Sequence, residues 1–248
     1  MFERLFGPFM YFRFGMKYVA KLSSGFPREV ALDRAMAYAK TSGIEGDYLE
    51  FGVFRGERFA AASYLSRKRG LTMSLYAFDS FAGIPKNQEM DSSGYKMYER
   101  GAYACSEVEF LKNVRRTGAD MDQVITVPGF FEESLKPEHP RIAKLRKAAV
   151  VWVDCDLYSS TVCVLNFLTK YLQHGSLIIF DDYFCYRADP KVGEQRAFRE
   201  WLDMNPGFSA VELMRFSWHG NSFVIHREDA TSNPSTVERS SKEAQDNR

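Results

Sequence analysis

No G-x-G-x-x-G run occurs anywhere in the 248 residues, so the glycine turn that cradles a dinucleotide pyrophosphate is missing. That absence disfavours a nicotinamide oxidoreductase. Cysteine is scarce: Cys105, Cys155, Cys163 and Cys185 show neither C-x-x-C nor Cys/His metal spacing, which argues for reduced thiols in a cytoplasmic protein. Net charge is almost nil, formally +1, leaving no global pull toward nucleic acid or an anionic membrane. Long apolar runs are missing too. The aromatic amino terminus, Met1 to Phe14, is broken by charges and by Pro8, so it has neither a signal-peptide core nor the length of an integral membrane segment. No internal repeat is visible. What remains is an ordinary globular composition, 45% hydrophobic and 26% charged, enough for one generous core.

Two short runs stand out. Val151-Trp152-Val153-Asp154-Cys155-Asp156-Leu157-Tyr158 and Leu177-Ile178-Ile179-Phe180-Asp181-Asp182 are each rich in β-branched and aromatic residues and contain two acids at or near their end. The pattern reads as a buried parallel strand emptying into a loop at its carboxyl end, where ligands gather in open α/β sheets. Between them, Ser159 to Gly175 carries apolar residues at Val162, Leu165, Phe167, Leu168, Tyr171 and Leu172 and is long enough for a crossover helix. Asp154, Asp156, Asp181 and Asp182 should therefore stand side by side. Four carboxylates repel unless something positive sits among them, and a divalent cation is the economical answer. Oxygen-only donors favour a hard ion, Mg²⁺ before Zn²⁺, with Mn²⁺ or Ca²⁺ also admissible. The plainer alternative is that Asp156 or Ser159 caps the crossover helix while Asp181 or Asp182 starts a turn.

Around these runs the chain alternates. A helix is expected over Pro27 to Ser42, then strands at Asp47 to Gly52, Ser74 to Phe78, Val124 to Val127 and Val150 onward. Helices are expected near Glu57 to Arg67, Ser106 to Thr117, through Leu135, around Arg141 to Lys147, and over Val192 to Leu202. Two last strands, Ser209 to Leu213 and Ser222 to His226, read as a hairpin flanking Trp218 and His219. The fold class is α/β, a Rossmann-like sheet, mostly parallel with an antiparallel C-terminal edge strand and helices on both faces. The irregular piece from Ala82 to Tyr103 suggests a lid or binding loop. Residues 1–45 read as a helical arm or lid, 46–226 as the main domain and 227–248 as a polar, disordered tail. The aromatic arm packs across the site or a sister subunit in a homodimer, lies on a membrane surface, or completes the core.

Glu50-x-Gly52-x-x-x-Gly56 sits between an expected strand and helix, where glycines let the backbone pass close to a ligand. An acid beside such a turn suits a ligand bearing an ammonium group, taken directly or through water. Asp79, ending the second strand, stands where an acid receives ribose hydroxyls in nucleotide-binding sheets.

Five ordered segments, Gly46 to Gly56, Tyr76 to Pro85, Pro128 to Phe131, Val153 to Thr161 and Phe180 to Tyr183, resemble the macrocin O-methyltransferase (TylF-like) family, the likeness running from Gly46 to Ala197. The resemblance implies a class I, S-adenosyl-L-methionine-dependent and divalent-metal-dependent enzyme that methylates sugar hydroxyls, known best from glycosylated antibiotics. It implies that Glu50 and the turn Gly52, Val53, Phe54, Arg55 and Gly56 hold the methionine part of the cofactor, and Asp79 with Ser80 the ribose. Gly129 and Phe130 would flank the adenine. Asp154, Asp181 and Asp182 would hold the metal, with Asp156 as general base and Asp154 as the fallback. One departure stands out: many relatives carry small or hydroxyl residues where this chain has Glu57-Arg58, so that Glu57 pairs with Arg58 or Arg55, or the hold on the cofactor carboxylate changes.

The chemistry fits those residue types. A sugar alcohol is a poor nucleophile near neutral pH; a cation at its oxygen eases deprotonation, and a carboxylate beside it accepts the proton. Chelation by two neighbouring hydroxyls favours a vicinal diol as acceptor, sugar (or glycoside) or catechol-like. Tyr183, Phe184, Tyr186 and Trp218 are candidates to stack on its ring, although aromatics near a sheet edge more often fill a core. His219 has a better claim to the acceptor pocket than His174, which is expected to end the crossover helix. The rivals are a nicotinamide oxidoreductase on a similar sheet and a cofactor-binding scaffold without catalysis.

Overall fold

The computed structural model describes residues 28–86, 91 and 99–228. The chain alternates helix and strand: α1 (Arg28–Thr41), β1 (Asp47–Phe51), α2 (Glu57–Lys68), β2 (Leu75–Asp79), α3 (Glu107–Arg116), β3 (Val124–Pro128), α4 (Phe131–Ser134), β4 (Ala148–Val153), α5 (Tyr158–Leu168), β5 (Leu172–Phe180), α6 (Gly193–Met204), β6 (Phe208–Phe216) and β7 (Gly220–Arg227). The seven strands form one sheet in the order β3-β2-β1-β4-β5-β7-β6. Strands β1 to β5 pair in parallel, whereas β7 runs antiparallel to β5 and β6 antiparallel to β7. Strand order reverses between β1 and β4, the switch point outside which α/β sheets bind ligands.

Alternation along each strand builds two cores, one on each face of the sheet. Leu49, Phe51, Phe78, Val151, Val153, Ile178 and Phe180 face one side and pack with α5 and α6 through Leu165, Phe198 and Trp201. Tyr48, Leu75, Ala77, Trp152, Leu177 and Ile179 face the other, under α1, α2 and α3. Both faces being covered, β1 and β4 are buried at every residue, which is why β4 reads as a continuous apolar run; β1 buries Asp47 and Glu50 among its apolar residues. Helix α1, grouped with an amino-terminal arm in the sequence reading, buries Ala31, Leu32, Ala35, Met36 and Ala39 in this second core.

Several boundaries differ from the sequence reading. The crossover helix stops at Leu168, and β5 starts at Leu172, so His174 and Gly175 lie in a strand. An apolar run such as Tyr171-Leu172 has no period that separates helix from strand, and Gly175 was a false stop. Helix was expected around Arg141 to Lys147; only a 3₁₀ turn at Pro140–Ile142 forms. Arg227 closes β7 and donates from Nη1 to the Leu172 carbonyl at 3.1 Å, so the strand includes the residue assigned to the tail. The aromatic arm before Arg28 and the stretch after Glu228 lie outside the described residues. In the long loop, buried Asp91 accepts from the backbone N–H (2.9 Å) and hydroxyl (2.7 Å) of Ser159, fastening that point to the start of α5.

Candidate active site

A cavity of about 530 Å³ opens at the carboxyl ends of β1, β2, β4 and β5. Its glycine side begins where β1 ends. Gly52 adopts a left-handed φ of 82°, and a Cβ there would lie 2.0 Å from the Asp154 carbonyl oxygen, so only glycine lets the loops after β1 and β4 meet. Gly56, also left-handed at 84°, starts α2 against Phe110 and Val114. Asp79 ties this turn down: Oδ2 accepts from the backbone N–H of Val53 (2.8 Å) and Phe54 (3.1 Å), and Oδ1 from that of Phe81 (2.7 Å). Ser80 braces the next turn by donating to the Gly83 carbonyl at 2.8 Å. Asp79, Ser80, Gly129 and Phe130 all line the cavity, together with Gly52, Phe54 and Arg55.

Glu50 is different. It is fully buried, lies on the same strand face as Tyr48, and is missing from the cavity wall. Its Oε2 accepts from the Tyr48 hydroxyl at 2.5 Å, while Oε1 has no hydrogen-bond partner and lies 3.6 Å from Arg58 Nη1. Burial lifts its pKa to about 7 against the opposing pull of Arg58 and of the Tyr48 hydrogen bond.

Four acids line the cavity at the ends of β4 and β5, and three of them form one compact group. Asp154, Asp156 and Asp182 each present a carboxylate oxygen within 4.8 Å of the others. Asp156 reaches its place through a left-handed backbone, φ 63°, a conformation aspartate tolerates better than most residues. The Tyr186 hydroxyl donates to its carbonyl at 2.6 Å. Asp182 is fixed from behind: its backbone N–H donates to Glu194 Oε2 at 2.9 Å, and the Cys185 thiol approaches its Oδ1 at 3.1 Å. Burial, then the charges of Asp182 and Asp154, hold the Asp156 carboxyl well above the usual carboxylate range. Burial and the Asp154 charge raise Asp182 as well. A crowded set of oxygen donors with too little positive charge fits a hard divalent cation.

The trio expected to hold that ion, Asp154, Asp181 and Asp182, is not the compact one. Asp181 groups instead with Asp182 and His219, and its Oδ2 pairs with Arg28 at 2.7 Å and approaches Arg58 Nη2 at 3.7 Å. Two guanidiniums thus place positive charge among the acids. His219 Nδ1 hydrogen-bonds the Asp181 carbonyl, and its Nε2 faces Arg28 at 3.4 Å. Arg58 turns inward from α2, with Nη1 at 2.7 Å from Asp154 Oδ2 and its guanidinium 4.6 Å above the Trp152 ring. The expected pairing of Glu57 with Arg58 is therefore replaced by these buried partners.

Aromatic residues stand at the rim. Phe54, Tyr103, Phe130 and Trp218 all line the cavity and are exposed; Trp218, at 68%, is a stacking candidate that does not fill a core. Tyr183 and Tyr186 do fill one, packed into hydrophobic clusters. Sequence reasoning missed Arg28, Glu194 and Tyr103. The Glu57-Arg58 oddity after the glycine turn was the one available signal for a cation in the site. The Tyr-x-x-x-Lys spacing that would favour the oxidoreductase rival occurs at Tyr64 and Lys68, but Tyr64 is exposed on α2 and neither residue lines the cavity.

A mostly parallel sheet closed by an antiparallel hairpin, with its cavity at the switch point, is the Rossmann-like architecture of the class I O-methyltransferases. The O-methyltransferase NovP shares it with a TM-score of 0.69 at 24% identity, covering 81% of this chain and 80% of that one. The family model for macrocin O-methyltransferase (TylF) matches residues 19–219, and the chain belongs to that family. Among curated relatives, 8-demethyl-8-(2,3-dimethoxy-alpha-L-rhamnosyl)-tetracenomycin-C 4'-O-methyltransferase of Streptomyces olivaceus is 30% identical over 170 residues, 66% of this chain and 63% of that protein. Mycinamicin III 3''-O-methyltransferase of Micromonospora griseorubida is 30% identical over 191 residues, 72% of this chain and 71% of that protein. The chain thus spans somewhat under two thirds of the first relative's length. Among the described residues no helix is long and apolar enough to cross a membrane.

Proposed function

We propose that the protein transfers the methyl group of S-adenosyl-L-methionine to a hydroxyl of a sugar on a glycosylated small molecule, with help from a divalent metal. The observation that carries the reading is the convergence of Asp154, Asp156 and Asp182 on one wall of the cavity that the Gly52 turn opens. Membership of the family and the sugar acceptors named in its relatives support it. The catalytic unit is residues 46–226 completed by α1, and a cytoplasmic setting agrees with four free cysteines.

Asp154 and Asp182 are the residues assigned to the metal, with Asp181 held beside them by Arg28 and Arg58. Bound there, a divalent ion supplies Lewis acidity at the acceptor oxygen and favours the ionised carboxylates. Asp156 accepts the proton of the attacking hydroxyl. The new bond is O–CH₃ and the broken one S–CH₃, whose electron pair stays on sulfur as the sulfonium becomes a thioether. Gly52 to Gly56, Asp79 and Phe130 position the donor so that methyl and oxygen approach in line. Trp218 and Tyr103 offer faces for the acceptor's ring.

Calorimetry with S-adenosylhomocysteine, followed by mass spectrometry of products from labelled donor, Mg²⁺ and a panel of glycosides, tests the reading. EDTA should abolish turnover. Asp182→Asn should lose metal binding and activity together, whereas Asp156→Asn should bind metal yet lose activity by at least 100-fold. Donor affinity in both should stay within a few-fold. Wild-type turnover in either variant refutes that residue's role.

A further inference from the structure

Asp156 stands at the centre of a three-residue turn. The Leu157 N–H donates to the Cys155 carbonyl at 2.6 Å, and Asp156 between them has a φ of 63°. A bond reaching two residues back across a positive φ marks the γ-turn of the rarer, strained hand. In the commoner hand φ is negative, and the central side chain leaves the backbone in a different direction. Where the Asp156 carboxylate points therefore depends on which hand the turn keeps.

The chain is fastened on both sides of this turn. Before it, the Asp154 N–H donates to the Phe51 carbonyl at 2.9 Å; after it, Asp91 holds the N–H and hydroxyl of Ser159. At the turn itself the Tyr186 hydroxyl donates to the Asp156 carbonyl at 2.6 Å. Tyr186 is itself fixed: its ring is buried with Ile84, Leu157 and Cys185, and a Cβ at Gly193, φ 59°, would stand 2.7 Å from ring atoms. Tyr186, Arg187 and Ala188 have φ of 59°, 61° and 56°, three successive left-handed residues without a glycine. Such a run is costly for L-residues and persists only where the surrounding structure over-determines it, as functional sites do. One hydrogen bond thus joins two strained segments. Tyr186 does not line the cavity, so any effect it has on the reaction passes through Asp156.

We propose that Tyr186 is a positioning residue for methyl transfer: by holding the Asp156 carbonyl, its hydroxyl keeps the turn in its strained hand and the carboxylate beside Asp154 and Asp182. The inference rests on the reading of Asp156 as proton acceptor and deepens it.

Crystal structures of the wild type and of Tyr186→Phe test it, together with steady-state kinetics of the full chain with labelled S-adenosyl-L-methionine and the panel of glycosides. In Tyr186→Phe, φ at residue 156 should turn negative and the carboxylate should leave Asp154 and Asp182. The variant's kcat should fall about 10- to 100-fold, the loss expected from one buried hydrogen bond, while KM for donor and acceptor stays within about three-fold. In an Asp156→Asn background Tyr186→Phe should cost nothing further, because the group it positions is already gone; a merely structural role adds its loss in both backgrounds. An unchanged turn in the Tyr186→Phe crystal overturns the proposal, and so does wild-type kcat or an additive loss beside Asp156→Asn. Wild-type turnover by Asp156→Asn instead refutes Asp156 as the base. A wild type that methylates no glycoside refutes the acceptor reading, and the two crystal structures still decide whether Tyr186 holds the turn.

Discussion

Replacing Glu50 by glutamine should change how stability depends on pH, and the size of the change follows from where the carboxylate sits. In the folded chain Glu50 keeps its proton up to about pH 7 because it is buried. The unfolded chain releases it near 4.5, the ordinary glutamate value. Between those values the folded state binds more protons than the unfolded one, so stability falls as pH rises, by about 1.4 kcal/mol per unit. The stabilisation is full below pH 4.5, is lost as pH climbs to 7, and changes no further above that. Over the whole window the loss is about 3 kcal/mol, a large share of a domain's 5–15 kcal/mol. Glutamine carries no charge at any of these pH values and can still accept from Tyr48. Urea unfolding of the ligand-free protein at pH 5, 6, 7 and 8 at fixed ionic strength, followed by the fluorescence of buried Trp152 and Trp201, measures it. Relative to wild type, the variant should gain about 2–3 kcal/mol between pH 5 and pH 8. A difference that stays constant across the series refutes the claim that buried Glu50 is charged at a cost, whatever the variant does to donor binding.

Three further outcomes are expected. Gly52→Ala puts a Cβ 2.0 Å from the Asp154 carbonyl at a positive φ, so it should separate the two loops and weaken S-adenosylhomocysteine by at least tenfold in calorimetry; unchanged affinity refutes the close approach. Asp47→Ala leaves the backbone N–H groups of Ser74 and Arg146, each 3.0 Å from the carboxylate, without their acceptor, and should cost about 2–4 kcal/mol in denaturant unfolding. Phe51→Ala empties a site stacked on Phe78 at 4.5 Å and edged by Phe131 and Phe167, with an expected cost of about 3–5 kcal/mol; a loss under 1 kcal/mol would mean the core collapses around it.

The sheet was readable from the sequence because β4 and the second half of β5 are buried on both faces and so appear as unbroken apolar runs ending in acids, while β1, which carries Asp47 and Glu50, was marked by the Gly52 turn after it. The hairpin was readable from its polar turn. The end of α5 was not, because Tyr171 and Leu172 continue an apolar helix pattern and only the pairing with β4 assigns them to a strand. Within the site, convergence of Asp154, Asp156 and Asp182 follows from strand adjacency alone. Which acid stands with which does not: Asp181 is drawn away by Arg28, 153 positions earlier, and no local pattern announces that pairing. Glu194 was equally silent, since its carboxylate serves a backbone N–H twelve residues before it. For Trp218 the sequence left stacking and core filling open, because hydrophobicity reports only the tendency to be buried; the ring sits in the turn between β6 and β7, exposed at the cavity.

At Gly52 the loop that closes β1 touches the carbonyl of Asp154 directly, main chain against main chain, with no side chain between them. Spacing across the cavity is therefore a property of the scaffold, set where mutation to any larger residue is excluded. Residues farther out, such as Trp218 and Tyr103, are free to be exchanged without altering that spacing. A protein built this way can change what it accepts while its reaction distance stays the same.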